Sequence, residues 1–205
     1  MARLKICQLN KRCTCLFVLC ISFVACGAAN QCYEVYEKGV SVMQQNIIVD
    51  SHNAIRLQVA QGILPNQPKA SNMKRISWDN SLAQAAQNIA NTCVYDHVPV
   101  DDSRFAVGEN INLRSATSHL RRPDWTSAIN AWVDEYKTYQ YGTTVYNNYT
   151  QLVWANTMYV GCGYTHFKDS STSSNKKYYV CNYGPEGNYI GQTPYNIGNG
   201  CNNLC

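Results

Sequence analysis

Four histidines are the side chains best suited to chemistry in this 205-residue chain: His52, His97, His119 and His166. An imidazole can ligate a metal or exchange a proton near neutral pH. Ser51 precedes His52 directly, but neighbours on a helix point about 100° apart, so they do not form a nucleophile–base pair. No G-x-S-x-G elbow and no H-E-x-x-H pair occurs. The chain is therefore expected not to be an enzyme. His97 and His119 lie in polar stretches and His166 ends an apolar run, so these three read as surface residues. The tyrosines offer a binding chemistry instead. There are 15 of them, and Tyr139, Tyr141 and Tyr146 stand close together in YQYGTTVY. Aromatic faces carrying hydroxyl groups suit an amphipathic lipid, because the ring buries area while the hydroxyl stays wet. The alternative is a loop that only covers a sheet. Asn148-Tyr149-Thr150 is an N-glycosylation sequon.

The amino terminus bounds the setting. Arg3, Lys5, Lys11 and Arg12 precede an apolar run over 13–29 that ends in Gly27, Ala28 and Ala29. A basic head, an apolar middle shorter than the ~20 residues of a membrane span, and small residues at the end predict a secretory signal peptide over 1–29. No other stretch is long and apolar enough to span a bilayer. The whole chain has 17 basic and 13 acidic residues. Four of the basic ones lie in this leader, so the remainder is balanced. That balance leaves no basic patch for nucleic acid or an anionic membrane surface. Of 11 cysteines, Cys7, Cys13, Cys15, Cys20 and Cys26 belong to the leader. An even set remains: Cys32, Cys93, Cys162, Cys181, Cys201 and Cys205. In an exported chain these predict disulfides.

The positioning elements follow from periodicity. Ile48, His52, Ile55 and Val59 recur at helical spacing, with Gly62 as a stop. Asp79 or Asn80 can cap a second helix whose apolar stripe is Leu82, Ala85, Ala86, Ile89, Ala90 and Cys93. Val107 to Leu113 reads as a short strand. Pro123 and Asp124 open a third helix bearing Trp125, Ile129, Trp132 and Tyr136. Asn147 or Asn148 starts a short helix through Trp154. Two strand-like runs, Met158 to His166 and Lys177 to Tyr183, flank a polar loop over 167–176. A hairpin centred on that loop places Cys162 opposite Cys181, within bridging distance. Cys201 and Cys205 can pair locally, which leaves Cys32 for Cys93.

Six segments together resemble the CAP superfamily of cysteine-rich secretory proteins, antigen 5 and pathogenesis-related 1 proteins. They are SHNAIR (Ser51 to Arg56), a W-x-x-x-L-A-x-x-A run from Trp78, VGENI (Val107 to Ile111), NYTQLVWANT (Asn148 to Thr157), GCGY (Gly161 to Tyr164) and CNYGPEGNYIGQ (Cys181 to Gln192). SNM (Ser71 to Met73) and GPEGNYIGQ look most like arthropod antigen 5 proteins of venom and saliva. The resemblance implies an α+β fold, an α-β-α sandwich around a central antiparallel sheet. It sets a CAP domain over 45–192, after an N-terminal extension over 30–44 and before a short tail over 193–205.

The family's cleft tetrad of two histidines and two acids falls, by this resemblance, on His52, Glu109, Glu135 and Asn148. Most members carry a histidine where Asn148 stands. Two imidazoles with carboxylates would suit Zn or Cu, whereas one imidazole and a neutral amide make a poor donor set. No metal and no cofactor is therefore expected, with His52 a weak candidate ligand. His52 reads alternatively as a hydrogen-bonded core histidine, with Glu109 and Glu135 as a carboxylate pair. The spacing of Tyr139, Tyr141 and Tyr146 matches a loop linked in some relatives to sterols, and other arthropod relatives hold fatty acids or eicosanoids. The function expected is a secreted, extracellular, monomeric binding protein of venom or saliva that sequesters a small lipid or meets extracellular molecules of host or prey. The alternatives are a metal-bound protein that scavenges superoxide and a protein-binding toxin or allergen without a small ligand.

Overall fold

A computed structural model describes residues 32–119, 122–200 and 203–205. The expected signal peptide lies outside the described residues.

Helix α1 runs Val42–Gln61. It starts six residues before its first recurring apolar position, because Ser41 and Gln44 form a capping box: Gln44 N–H donates to Ser41 Oγ, and Ser41 N–H donates to Gln44 Oε1. Gly62 ends it in the left-handed conformation, φ 71°, with its N–H turned back to Gln58 and Val59 carbonyls. Helix α2, Asn80–Ala90, is capped by Asp79, which accepts from Leu82 N–H at 2.9 Å. Helix α3, Trp125–Val133, is capped by Asp124, and runs into a single 3-10 turn, Asp134–Lys137. Helix α4, Asn148–Leu152, is capped by Asn147.

The strands are β1 Cys32–Lys38, β2 Ser77–Trp78, β3 Gly108–Ala116, β4 Tyr159–Asp169 and β5 Asn175–Gly184. They form one sheet in the order β1-β4-β5-β3, antiparallel throughout, with β2 adding a short parallel pairing on β4. Sequence reading placed no element in 30–44; β1 is there, on the outer edge of the sheet. Its register slips twice, which blurs the alternation a strand would otherwise show.

The β4–β5 register pairs Cys162 with Cys181, and the two are bridged, as are Cys32 and Cys93. Cys205 is disulfide-bonded; Cys201 lies outside the described residues. On one face α2 packs with Ala86, Ile89 and Ala90 against Ile111, Phe167, Tyr178 and Val180. On the other, α1, α3 and α4 enclose a core around Ile48, Val59, Trp132, Tyr149 and Tyr183. This is the α-β-α sandwich expected. Among the described residues no helix is long and apolar enough to cross a membrane.

Within GCGY the two faces divide the work. Cys162 points into the α1–α3 layer. The glycines meet α2: a Cβ at Gly161 would lie 2.1 Å from Ala83 N, and one at Gly163 would lie 2.4 Å from Gln87 Cα. SHNAIR is an internal scaffold. Arg56 is fully buried and donates to five carbonyls, those of Lys74, Leu152, Trp154, Ala155 and Thr157, at 2.8–3.2 Å. Burial pulls its pKa down to about 9, so it remains a cation at neutral pH. Asn53 locks the same helix to Ile76 through both its amide groups, at 2.9 Å each way.

Candidate functional site

The cleft is built where the YTQ and GPEGN segments meet. Gln151, at 1% exposure, accepts from Gly187 N–H at 2.8 Å. Thr150 donates to Asn188 Oδ1 at 2.8 Å while accepting from Asn147 N–H. Asn188 returns a bond to the Asn147 carbonyl at 3.2 Å. Glycine at 108 leaves room for this lacing, because a Cβ there would fall 2.1 Å from Gln151 Oε1 and push that side chain off Gly187. The result is an open cleft of about 520 Å³ lined by Gly108, Glu109, Gln151 and the run Glu186 to Ile190.

Glu109, on β3, keeps only 8% of its side chain exposed. Its Oε1 accepts from His97 Nδ1 at 2.9 Å and from Val98 N–H at 3.2 Å. Its Oε2 is buried without a hydrogen-bond partner. Burial raises the carboxyl pKa, against the lowering effect of those two donors. Glu135, in the 3-10 turn, is bound on both oxygens by Asn148. The backbone N–H donates to Oε2 and the side-chain amide to Oε1, each at 2.7 Å. The two glutamates therefore belong to different hydrogen-bonded pairs rather than to one carboxylate pair.

His52 is not part of this surface. It is fully buried, its Nδ1–H donates to the Ile48 carbonyl at 2.7 Å, and its Nε2 accepts from the Tyr183 hydroxyl at 2.9 Å. Asn110 then donates to Tyr183 Oη at 3.2 Å and to the Asn148 carbonyl at 3.0 Å. His52 is the core histidine that its place among Ile48, Ile55 and Val59 allowed. The imidazole facing Glu109 is His97, which sequence reading had set aside as a surface residue. Its ring is indeed 64% exposed, but its bond to Glu109 joins a loop to a strand, and no local periodicity reports such a contact. His166 corrects the same reading in the opposite direction. It is fully buried, edge-on to Tyr36, with both ring nitrogens unpartnered.

Burial lowers the His52 pKa from 6.5 to about 4. The unfolded chain therefore binds more protons than the folded one between these values, and stability rises with pH across that window. The contribution is complete above pH 6.5 and disappears as pH falls through 4. A shift of this size corresponds to roughly 3 kcal/mol. Denaturation midpoints measured from pH 7 to 4 should fall steeply, and less steeply in His52→Gln. An equal slope in both would show that His52 is not the group responsible.

The three loop tyrosines do not form an open platform. Tyr139 is buried against Tyr149, ring centroids 5.8 Å apart. Tyr141 donates to the Tyr195 carbonyl, and its ring packs tilted against the Tyr195 ring, centroids 5.0 Å apart. The Tyr146 hydroxyl donates to the Gln192 carbonyl and accepts from Gly191 N–H. Tyr139 thus packs on α4, while Tyr141 and Tyr146 tie the 139–146 loop to the segment after β5. The sequon is closed in the folded chain: Thr150 is fully buried, and the Asn148 amide is held by Glu135.

These donors do not suit a transition metal. Asn148 offers N–H groups where an imidazole would offer a lone pair, and both Glu135 oxygens are occupied by it. Among the described residues no group of three or more His, Cys, Asp or Glu is placed to hold an ion. Zinc titration of the chain is expected to show no tight site. Asn148→His should gain roughly tenfold or more in affinity. Tight binding by the unchanged chain, lost in His97→Ala, would refute this.

The chain belongs to the cysteine-rich secretory protein family, whose profile matches residues 49–183. It is 36% identical over 192 residues to a CRISP/Allergen/PR-1 protein of Trittame loki, covering 86% of this chain and 47% of that protein. It is 39% identical over 164 residues to salivary antigen-5 of Dipetalogaster maximus, covering 74% of this chain and 65% of that one. Identity to venom allergen 5 of Polistes dominula is 36% over 172 residues, 77% of this chain and 74% of the relative. The chain thus spans about half the length of the first relative and just under two thirds of the second. The crystal structure of NaASP2 with Zn2+ superimposes with a TM-score of 0.66 at 29% identity, over 80% of this chain and 90% of that one. Motifs, fold and relatives agree on an antigen 5-like CAP protein.

Proposed function

We propose that this antigen 5-like chain is secreted into venom or saliva and acts there by binding, without catalysis, sequestering a small lipid in the cleft between YTQ and GPEGN. The observation that carries the reading is the cleft itself. Its volume of about 520 Å³ lies within the range of small-molecule sites. Its rim carries Tyr189 at 39% exposure and Ile190 at 91%, an apolar border on an otherwise polar opening. Lacing by Thr150, Gln151 and Asn188 holds the walls apart without a ligand, so little ordering opposes entry. The tyrosine loop is not the site in this reading, because its hydroxyl groups are already bonded to the chain.

Protein purified from its natural secretion should release a lipid into organic solvent at close to one equivalent, identified by mass spectrometry. Tyr189→Ala together with Ile190→Ser should reduce the yield. A clean extract, with no uptake of sterol, fatty-acid or eicosanoid probes by the stripped protein, would overturn the proposal.

A further inference from the structure

We propose that Asn199–Gly200 is a self-modification site, at which the tail converts its own backbone to an isoaspartyl link and so loosens from the 69–73 segment. The inference is independent of the binding reading above.

The chemistry asks three things of a chain: an asparagine followed by glycine, a side-chain amide free to turn, and a following N–H without a partner. Glycine matters because it puts no side chain in the way of the attack. The sequence meets the first condition only at Asn199. Both residues are exposed. Neither the Asn199 side chain nor the Gly200 N–H makes a hydrogen bond among the described residues, although most backbone N–H groups of a folded chain are engaged. Asparagines elsewhere are tied down: the side chains of Asn53, Asn110, Asn147, Asn148 and Asn188 are all hydrogen-bonded. Asn80, followed by the small Ser81, is the nearest rival, but it lies in α2 and its Oδ1 accepts from Trp78 Nε1 at 3.1 Å. Packing keeps the glycine that makes its neighbour reactive, because a Cβ at 200 would fall 2.5 Å from the Ser71 carbonyl oxygen.

The step balances with water alone. Solvent hydroxide removes the Gly200 amide proton, and the nitrogen attacks Asn199 Cγ. The N–Cγ bond forms, the Cγ–Nδ2 bond breaks, and Nδ2 leaves as ammonia after taking a proton from water. Water then opens the cyclic imide. Attack on the side-chain carbonyl gives aspartate; attack on the main-chain carbonyl gives isoaspartate, whose backbone runs through Cβ and Cγ. Either product is an anion at neutral pH, in a stretch, 187–200, that has no charged side chain. The change falls between two moorings of the tail. Before it, Ser71 N–H donates to the Asn196 carbonyl at 2.8 Å and Gly198 N–H to the Lys69 carbonyl at 3.0 Å, around the Ala70–Ile197 bridge. After it, Cys205 N–H donates to the Met73 carbonyl at 2.8 Å. Isoaspartate adds a main-chain carbon between them, so the two moorings no longer match the spacing along 69–73.

Incubation of the purified full chain at pH 7.4, followed by peptide mapping with mass spectrometry, tests the site. Asn199 should convert at least tenfold faster than any other asparagine, with isoaspartate as the main product. The reduced and denatured chain should convert Asn199 at a similar rate, whereas Asn80 should react there and not in the folded chain. If folding suppresses conversion at Asn199, or if aspartate forms without isoaspartate, the proposal is wrong. Hydrogen exchange at Ser71, Gly198 and Cys205 should rise severalfold in the converted protein and stay at the starting rate in Asn199→Gln incubated alongside. Unchanged exchange in the converted protein would overturn the loosening.

Discussion

Replacing Arg56 by methionine is expected to lower stability by about 4 kcal/mol, while leaving a side chain of similar length in the core. The guanidinium donates to five carbonyls drawn from two parts of the chain, Lys74 and the stretch 152–157. Without it those acceptors remain buried and lose their donors, and each such loss costs roughly 1–3 kcal/mol before relaxation. Leu152, Trp154, Ala155 and Thr157 would no longer be gathered around one group, so the turn after α4 should loosen with them. Arg56→Lys keeps the charge but has three N–H donors for five carbonyls and no planar fork, so it should rescue only part of the loss. Thermal unfolding measures the effect: a fall of about 10 °C is expected for methionine. A melting temperature within a degree or two of the parent would show that the network contributes little.

Gly163→Ala should cost roughly 3 kcal/mol by overpacking. The new methyl group would stand 2.4 Å from both Gln87 N and Gln87 Cα, and 2.5 Å from Ala86 C. These are backbone atoms of α2, so no side chain can swing aside and the helix must lift from the sheet. Gln87 would suffer first, since its side chain accepts from Tyr164 N–H at 3.0 Å and donates to the Tyr164 carbonyl at 3.0 Å. Gly108→Ala offers a contrast. Its nearest neighbour is the side-chain oxygen of Gln151, which can move at the cost of the bond to Gly187. Gly163→Ala should therefore lower the melting temperature much more than Gly108→Ala, whose larger effect should be on ligand uptake. Equal melting temperatures for the parent and Gly163→Ala would contradict the close-contact account of GCGY.

Local chemistry was readable from the residues. The caps Asp79 and Asp124, the stop at Gly62 and the Cys162–Cys181 register each depend on a few neighbouring positions, and each stands where the sequence placed it. Strand β1 escaped because its pairing partner lies more than a hundred residues away and its register is broken. The site was legible in its members but not in its pairing. Glu109, Glu135 and Asn148 were singled out, yet Glu109 meets His97, from a loop that carries no periodic signal. His52 attracted attention by its residue type, although its spacing with Ile48, Ile55 and Val59 already described a core position. The tyrosine loop shows the same limit: composition advertised aromatic surface, while the partners of the Tyr141 and Tyr146 hydroxyl groups lie at residues 191–195.

The Cys32–Cys93 bridge fastens the outermost strand to the residue three past the end of α2. Reduction would free β1 to peel from β4 and leave that long, largely buried strand with an open hydrogen-bonding edge. An uncovered edge invites pairing with a second chain. Oxidation thus guards this protein's solubility as well as its stability, and chains that miss the bridge should be recognised by their tendency to self-associate before any loss of secondary structure is visible.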